Sequence, residues 1–597
     1  MTTQEIGALP AGSGTTTFTV WAPFARSVGV RLRERGELVA MDRTSEGYFT
    51  VEADCEADST YWLVLDGAKE SPDPASRSQP EGVHGPSQVV DLGKFSWSDS
   101  EFAPRPLRDN ILYELHVGTF SRGGTFASAI EHLDALVTLG VTAIEIMPVA
   151  QFPGTRNWGY DGVFPFAVQA SYGGPLGLQN FVNECHRRGL AVVLDVVYNH
   201  LGPEGNVLPN FGPYLTDRYR TPWGEAINFD GPDSDPVRGY FVANALHWFS
   251  DFHIDGLRLD AVHEFMDRSP RPFLVDLATA AADASRTSGR SCWLIAESAS
   301  NDPRVITPID SGGLGMDAQW NDDFHHSVHV AVTSERFGYY ADYTGTADVA
   351  RCMAQGFVYQ GQTSPYRRRR HGGPSSSIDP SRFVVFDQNH DQVGNRADGA
   401  RLSMLIPLDR LRLTAALLLL APGVPLLFMG EEYGETAPFT YFVDHGDPDL
   451  LDAVRRGRAD EHDGHDGSVR DPADPATFEA AILHHPLRTE GPHRALWEHY
   501  RSLLSLRATE PALRCSSREQ TMAEACGPVV TLTRTHATTT IVVFFNLSGS
   551  LESAALPGPG DWEELLTEGA STIQGEIGLS PWQFRLFRSR LAHMAAP

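Results

Sequence analysis

Three carboxylates, each closing an apolar run, are the residues of this chain best placed to do chemistry. Asp260 ends the run in LRLDAV (257–262), Glu297 follows WLIA in CWLIAES (292–298), and Asp391 ends FVVFDQNHD (383–391). Arg258 stands two residues before Asp260 and His390 directly before Asp391; a further polar set, Asp195, Asn199 and His200, closes AVVLDVVYNH (191–200). A single Asp at the end of a strand often does no more than cap a helix. Three carboxylates with Arg and His beside them suit the cleavage of an acetal. That reaction must protonate a poor leaving group while oxocarbenium-like charge grows on the sugar. A retaining enzyme meets the demand with a carboxylate nucleophile and a carboxylic acid/base ~5–5.5 Å apart. Adjacent strands lie ~4.8 Å apart, so neighbouring strand ends supply such a pair. Arg258 shares a strand face with Asp260 and can keep it ionised through a charge-assisted hydrogen bond. Glu297, behind an apolar run, is expected to keep its proton and serve as the acid. Asp391 is expected to stabilise charge and bind ring hydroxyls.

Such residues need a scaffold that brings distant strand ends to one rim. From Ile111 onward, strand-like runs alternate with amphipathic helices: 111–120, 141–149, 191–200, 257–262, 292–298, 317–322, 383–391 and 424–430. One intervening helix is expected to open on Asp235-Pro236, an N-cap followed by Pro at the first helical position. Eight strands with helices between them over about 330 residues imply an α/β fold, a (β/α)8 TIM barrel, whose catalytic groups emerge at the C-terminal strand ends. We assign residues 96–510 to this barrel, with its longest insertion at about 201–235. Residues 1–95 carry short alternating runs, FTVWAP, VGVRL and YWLVLD, and read as an N-terminal β-sandwich. Residues 511–597 alternate again in VVTLTR, TIVVFFNL and WQFRLF and read as a C-terminal β-domain.

Bulk properties narrow the function classes. A net charge of −28 argues against nucleic acid, which needs a concentrated basic surface; RRRR (367–370) reads as a short solvated loop. The most apolar stretch, Leu413 to Met429, is interrupted by Pro422, Gly423 and Pro425, and so reads as a buried helix and strand rather than a membrane span. The N-terminus has neither a basic region nor an apolar core of the secretory kind. The six cysteines are scattered without CxxC and read as buried free thiols of a reducing, cytoplasmic compartment. Asn546-Leu547-Ser548 fits a glycosylation sequon that such a compartment would leave unused. No Gly-rich phosphate loop follows the seventh or eighth strand, which disfavours a phosphate-using barrel.

DVVYNH (195–200), GLRLDAVHE (256–264), AES (296–298) and NHD (389–391) occur in one order, and together they resemble the α-amylase superfamily (glycoside hydrolase family 13). The resemblance implies a retaining mechanism on α-glucosidic bonds, with Asp260 as nucleophile, Glu297 as acid/base and Asp391 as transition-state stabiliser. It implies a −1 sugar site of Arg258, His200 and His390, with Tyr160 of NWGYDG stacked on the ring, and Gln392 and Asn395 as further substrate contacts. WNDDFHH (320–326) and FMGEEYGETAPFTYFVDH (428–445) resemble the branch of the superfamily that releases trehalose from maltooligosyl trehalose. That branch implies a synthase making the trehalose-capped glucan as functional partner. On this resemblance the acceptor side is expected to include His263 and Glu264, where many family members carry Lys-His. Within Asp322 to His326, Asp323 and His325 are the stronger candidates. Asn199 belongs to a calcium site in many amylases, but 201–235 offers no carboxylate cluster to complete one, so neither a metal nor another cofactor is expected. Two alternatives stay open: a glycogen branching or debranching enzyme of the same family, and a catalytically inactive glucan-binding protein.

Overall fold

The structure, a computed structural model, describes residues 5–12, 14–461, 469–514, 517–558, 561–566, 572–573 and 576–590. Its centre is a closed parallel barrel of eight strands: β1 (Leu112–Leu115), β2 (Ala143–Ile146), β3 (Ala191–Val196), β4 (Gly256–Leu259), β5 (Trp293–Ala296), β6 (Ala318–Trp320), β7 (Phe383–Val385) and β8 (Val424–Phe428). β8 pairs back onto β1, with Leu112 opposite Leu426. The strands are buried almost throughout, because helices cover the barrel outside and side chains fill it inside. That double burial makes each strand read as a continuous apolar run.

The strands are shorter than the runs that announce them. The first ends at Leu115 and gives way to a helical turn at Val117–Phe120; the seventh ends at Val385, and His390–Gly394 is helical. The sixth stops at Trp320, where helix α1 (Asp322–Thr333) begins. Apolar residues continue past the last ladder hydrogen bond because the connecting segments at this rim are themselves buried. The helix before β4 spans Ser234–Asp251 with Asp233 as N-cap, so Pro236, not at the first helical position, sits third. It is tolerated there because the first four helical N–H groups have no intrahelical acceptor.

The insertion after β3 is ordered. It holds a helical turn (Leu208–Phe211) and a hairpin (Leu215–Thr221 with Gly224–Ile227) that carries Trp223 at its tip. Before the barrel, two antiparallel sheets face each other, with Phe18 of one meeting Tyr61 of the other edge-to-face at 4.9 Å. Trp21 of this sandwich packs on Tyr214 of the insertion at 5.1 Å. After the barrel come a five-stranded and a three-stranded sheet built between Thr521 and Arg590.

Leu408–Leu420 and Val424–Phe428 form the buried helix and strand expected there, and among the described residues no helix is long and apolar enough to cross a membrane. Not all cysteines are buried: Cys526 is exposed and Cys292 half-buried, while Cys515 lies outside the described residues. Asn546 is fully buried and donates to the carbonyls of Ser550, Leu579 and Ser580, which leaves the sequon inaccessible. Arg367 is not merely solvated; it is half-buried and pairs with Asp342 at 3.4 Å.

At the barrel's opposite end, a buried ionic cluster ties the segment before β1 to the scaffold. His186 bonds Asp99 Oδ2 through Nδ1 at 2.8 Å and Asp255 Oδ2 through Nε2 at 2.9 Å, and Arg290 reaches Asp99 at 3.0 Å. Burial opposes charge on His186, but the two carboxylates outweigh it and carry the imidazole above its ordinary range. Asp99 is also penalised by burial, yet His186, His253 and Arg290 hold it far below the usual carboxylate range. The stabilisation from Asp99 is therefore present above about pH 4 and lost as pH falls; that from His186 is present below about pH 6.5 and lost as pH rises through its raised pKa. Asp99→Ala is expected to cost about 1.5–3 kcal/mol near pH 6, because the buried His186 keeps Asp255 but loses its second carboxylate, and Arg290 loses its contact as well. Thermal unfolding of the variant against the parent at pH 5, 6 and 8 checks this, the gap being widest at pH 5 and 6.

Candidate active site

Strand register explains the meeting of the candidate catalytic groups. Leu259 pairs with Ala296 across β4 and β5, so the next residue on each strand, Asp260 and Glu297, stand side by side at the rim. Two further ladder bonds hold them there: Asp260 N–H donates to Val196 O at 3.1 Å and Glu297 N–H to Leu259 O at 3.0 Å. Asp195 pairs with Arg258 across β3 and β4, and the side chains meet: Arg258 Nη1 donates to both Asp195 oxygens at 3.0 and 2.8 Å. The same nitrogen donates to Asp260 Oδ1 at 2.9 Å, and Nη2 lies 3.4 Å from Glu297 Oε2. One fully buried guanidinium, with Trp320 4.2 Å from it, thus joins three carboxyl groups.

The backbone after Asp260 completes the arrangement. Ala261 is left-handed (φ 40°, ψ 53°), a conformation that costs a residue with a Cβ roughly 1–2 kcal/mol. Its N–H is thereby turned onto Glu297 Oε2 at 2.6 Å. Asn199 donates to Asp260 Oδ2 at 2.9 Å, so the residue associated with calcium in many amylases here holds the other oxygen of Asp260. Among the described residues no group of three or more His, Cys, Asp or Glu is arranged to hold a metal ion.

Asp391 sits in the first turn of the short helix His390–Gly394, where Asn389 accepts from the Asp391 and Gln392 N–H groups. His390 lies beneath the cleft. Its Nδ1 bonds Glu114 of β1 and its Nε2 approaches Tyr160 Oη at 2.8 Å; Tyr160 in turn donates to Asp195 at 2.6 Å. Burial alone would lower His390, but Asp391 and Glu114 carry it up to about 9, so it is an imidazolium at neutral pH. Burial pushes Asp195 up to about 7 despite Arg258. Burial also raises Glu297, with Asp260 and Asp391 adding to the rise and Arg258 opposing it.

Asp260, Glu297 and Asp391 line a cleft of about 480 Å³. Of the residues singled out from sequence, Tyr160, His200, Asp260, His263, Glu297, Asp391 and Asn395 form its walls. Arg258 and His390 are buried directly beneath, in contact with those walls. Glu264 and Gln392 are partly exposed and lie outside the lining. Asp323 and His325 are turned away. Asp323 is 2% exposed and spends its oxygens on Tyr343, Asn301 and the N–H groups of Val358 and Tyr359. Both ring nitrogens of His325 are engaged, with Asp387 O and Tyr340 Oη. Their neighbour Asp322 lies within the field of the cleft: burial raises its carboxyl, and the charges of Glu297 and Asp391 raise it further.

The cleft also contains residues that strand-end reasoning passed over. Trp223, at the hairpin tip, stacks on His200 at 4.7 Å with its ring half exposed. Tyr441 follows β8 and donates to Asp161 at 3.0 Å. Helix α2 (Pro448–Glu461) supplies Val454, Gly457, Arg458 and Glu461. Trp223 and Tyr441 were readable only as aromatic residues in loops, without periodicity to mark them.

His263 offers a check on the electrostatics. It lowers the pKa of Glu297, and an acid catalyst must keep its proton. His263→Gln is therefore expected to move the alkaline limb of the pH–rate profile upward by a few tenths of a pH unit. A downward shift would contradict this arrangement.

Known proteins share both sequence and fold. The profile of the α-amylase catalytic domain matches residues 76–213. A malto-oligosyltrehalose trehalohydrolase of Saccharolobus solfataricus is 45% identical over 84% of this chain and 86% of its own length. The enzyme of the same name from Brevibacterium helvolum is 39% identical over 96% and 99%. A crystal structure described as a putative alpha amylase from Salmonella typhimurium superposes with a TM-score of 0.90 at 38% identity, covering 98% of this chain and all of that one. The chain is a glycoside hydrolase of the α-amylase type and belongs to the malto-oligosyltrehalose trehalohydrolase family.

Proposed function

We propose that the chain hydrolyses, with retention, the α-1,4 bond next to the terminal trehalose of maltooligosyl trehalose, releasing trehalose and a shortened maltooligosaccharide. The observation that carries the mechanism is the single guanidinium of Arg258 touching both Asp260 and Glu297. It supports the short spacing of a retaining pair over the wider gap that an inverting pair leaves for water. Asp260, held by Arg258 and Asn199, attacks the anomeric carbon as Glu297 passes its proton to the departing trehalose oxygen. The glycosyl–Asp260 ester is then cut by a water that gives its proton to Glu297, so both carboxyl groups return to their starting states. Glu297 suits this exchange: Oε2 is occupied by Ala261 N–H, and Oε1 has no hydrogen-bond partner among the described residues. Asp391, beside the His390 imidazolium, stabilises the growing charge on the sugar.

The trehalose-specific part of the reading rests on the family relationship and on the acceptor side of the cleft, where His263 replaces the Lys of many relatives. The substrate comes from a synthase that converts the reducing end of a maltooligosaccharide into trehalose, and we place both steps in the cytoplasm. Incubation with maltopentaosyl-trehalose is expected to yield trehalose and maltopentaose. Absence of trehalose between pH 5 and 8, with a fall in iodine staining of amylose instead, would favour a branching enzyme.

A further inference from the structure

Helix α2 is unusual because it covers nothing in the core. None of its residues is buried, and a 14-residue helix is marginal on its own in water. What it faces is the cleft: Val454, Gly457, Arg458 and Glu461 follow i, i+3, i+4, i+7 spacing and line one wall. Gly457 costs such a helix roughly 1 kcal/mol relative to Ala. No close packing in the protein demands it, since a Cβ built there would meet no atom within 4 Å. The space it leaves opens on the cleft. Arg458 does the anchoring: Nη2 donates to Gly394 O at 3.0 Å, Nη1 lies 3.4 Å from Asn395 Oδ1, and the guanidinium lies 5.5 Å from the centre of the Tyr441 ring. Gly394 and Asn395 close the helical turn that carries Asp391, and Asn395 Nδ2 reaches Asp391 Oδ1 at 3.5 Å.

We propose that α2 is the sugar-facing wall of the cleft, with Gly457 kept free of a side chain to admit a pyranose ring against the helix, and that Arg458 is a positioning residue fixing Asp391 through Asn395. The sugar class rests on the function proposed above; the wall and the positioning chain rest on the contacts. A helix without buried residues adds little to global stability, so substitutions in it should separate activity from folding.

The test is a set of variants assayed on maltopentaosyl-trehalose, each with its thermal midpoint. Gly457→Leu is expected to raise KM by about tenfold or more with kcat within about twofold, the signature of lost binding space. Arg458→Ala is expected to lower kcat by about 10- to 100-fold with KM little changed, as misplacement of a catalytic group does. Arg458→Lys, able to reach Gly394 O alone, should recover part of the loss. The double variant Arg458→Ala/Asn395→Ala should be no slower than the worse single variant, because both break one chain. Unfolding midpoints should all match the parent. An unchanged KM in Gly457→Leu overturns the wall. Additive losses in the double variant, or activity falling only in step with the midpoint, overturn the positioning role. Calorimetric binding of maltoheptaose to Glu297→Gln, with and without Gly457→Leu, reads the wall independently of which bond is cut. Failure of the parent enzyme to release trehalose would then refute the substrate assignment alone.

Discussion

Asp260→Asn is expected to lower kcat by at least about three orders of magnitude, as loss of a catalytic group that acts in concert with others does. The amide keeps the size of the carboxylate and its one oxygen can still accept from Arg258, while its NH2 takes the place of the oxygen that accepted from Asn199, so the fold should survive with one hydrogen bond fewer. What disappears is the proposed nucleophile. A weaker contact to Arg258 also leaves that buried cation with Asp195 as its main partner. Because burial holds Asp195 up to about 7, above its unfolded value, protonating it favours the fold, so any loss of stability should be larger at pH 8, where Asp195 is a buried anion, than at pH 6. The readouts are steady-state turnover and the thermal midpoint at pH 6 and 8. Turnover within tenfold of the parent would remove Asp260 from the reaction.

Glu297→Gln should cost about 10²–10⁴ in kcat/KM on natural glucans, the usual contribution of a general acid. Gln can still accept from Ala261 N–H through its carbonyl oxygen, so the strained turn at Ala261 should persist. The effect should depend on the leaving group. From an α-maltosyl fluoride the fluoride ion leaves without protonation as the maltosyl group passes to Asp260, so that first step should be slowed far less than that of a glucan. The pH profile carries the second signature. Burial raises the Glu297 pKa, so the protonated acid survives to higher pH than an ordinary carboxyl would, and the parent's alkaline limb reports its loss. In the Gln variant that limb should vanish. An equal loss on fluoride and glucan, with the limb intact, would assign the proton transfer to another group.

The barrel and its three carboxylates were legible for a physical reason. Parallel strands buried on both faces become apolar runs, and the polar residue that ends each run is the one delivered to the rim. Asp260 and Glu297 needed only that rule, since register sets them side by side. The same rule misplaced residues once the chain left the ladder. Asp322 and Asp323 begin a helix, where successive side chains diverge by about 100°. One therefore reaches the field of the cleft, while the other pins the loop at Val358–Tyr359. No pattern in DDFHH reveals which carboxylate faces which way, because both sides are largely enclosed by protein.

Helix α2 was illegible for the opposite reason. Helices are recognised by an apolar stripe, and one that packs against a substrate space instead of a core has only a faint stripe to recognise. The cleft-facing set of Val, Gly, Arg and Glu reads as surface in LLDAVRRGRADE. Trp223 escaped notice similarly, as one aromatic in an insertion whose hairpin follows from turn geometry rather than from hydrophobic alternation.

The central claim, double displacement at Asp260 with Glu297 as acid and base, is tested most directly by the anomeric configuration of the newly released maltooligosaccharide. Trehalose is non-reducing, so the only new reducing end belongs to the glucan on the other side of the cut. Proton NMR within the first turnovers, before mutarotation, is predicted to show the α-anomer of maltopentaose rising first from maltopentaosyl-trehalose, with β appearing only later. Initial release of the β-anomer would mean a single displacement by water, and would contradict the roles assigned to both carboxylates.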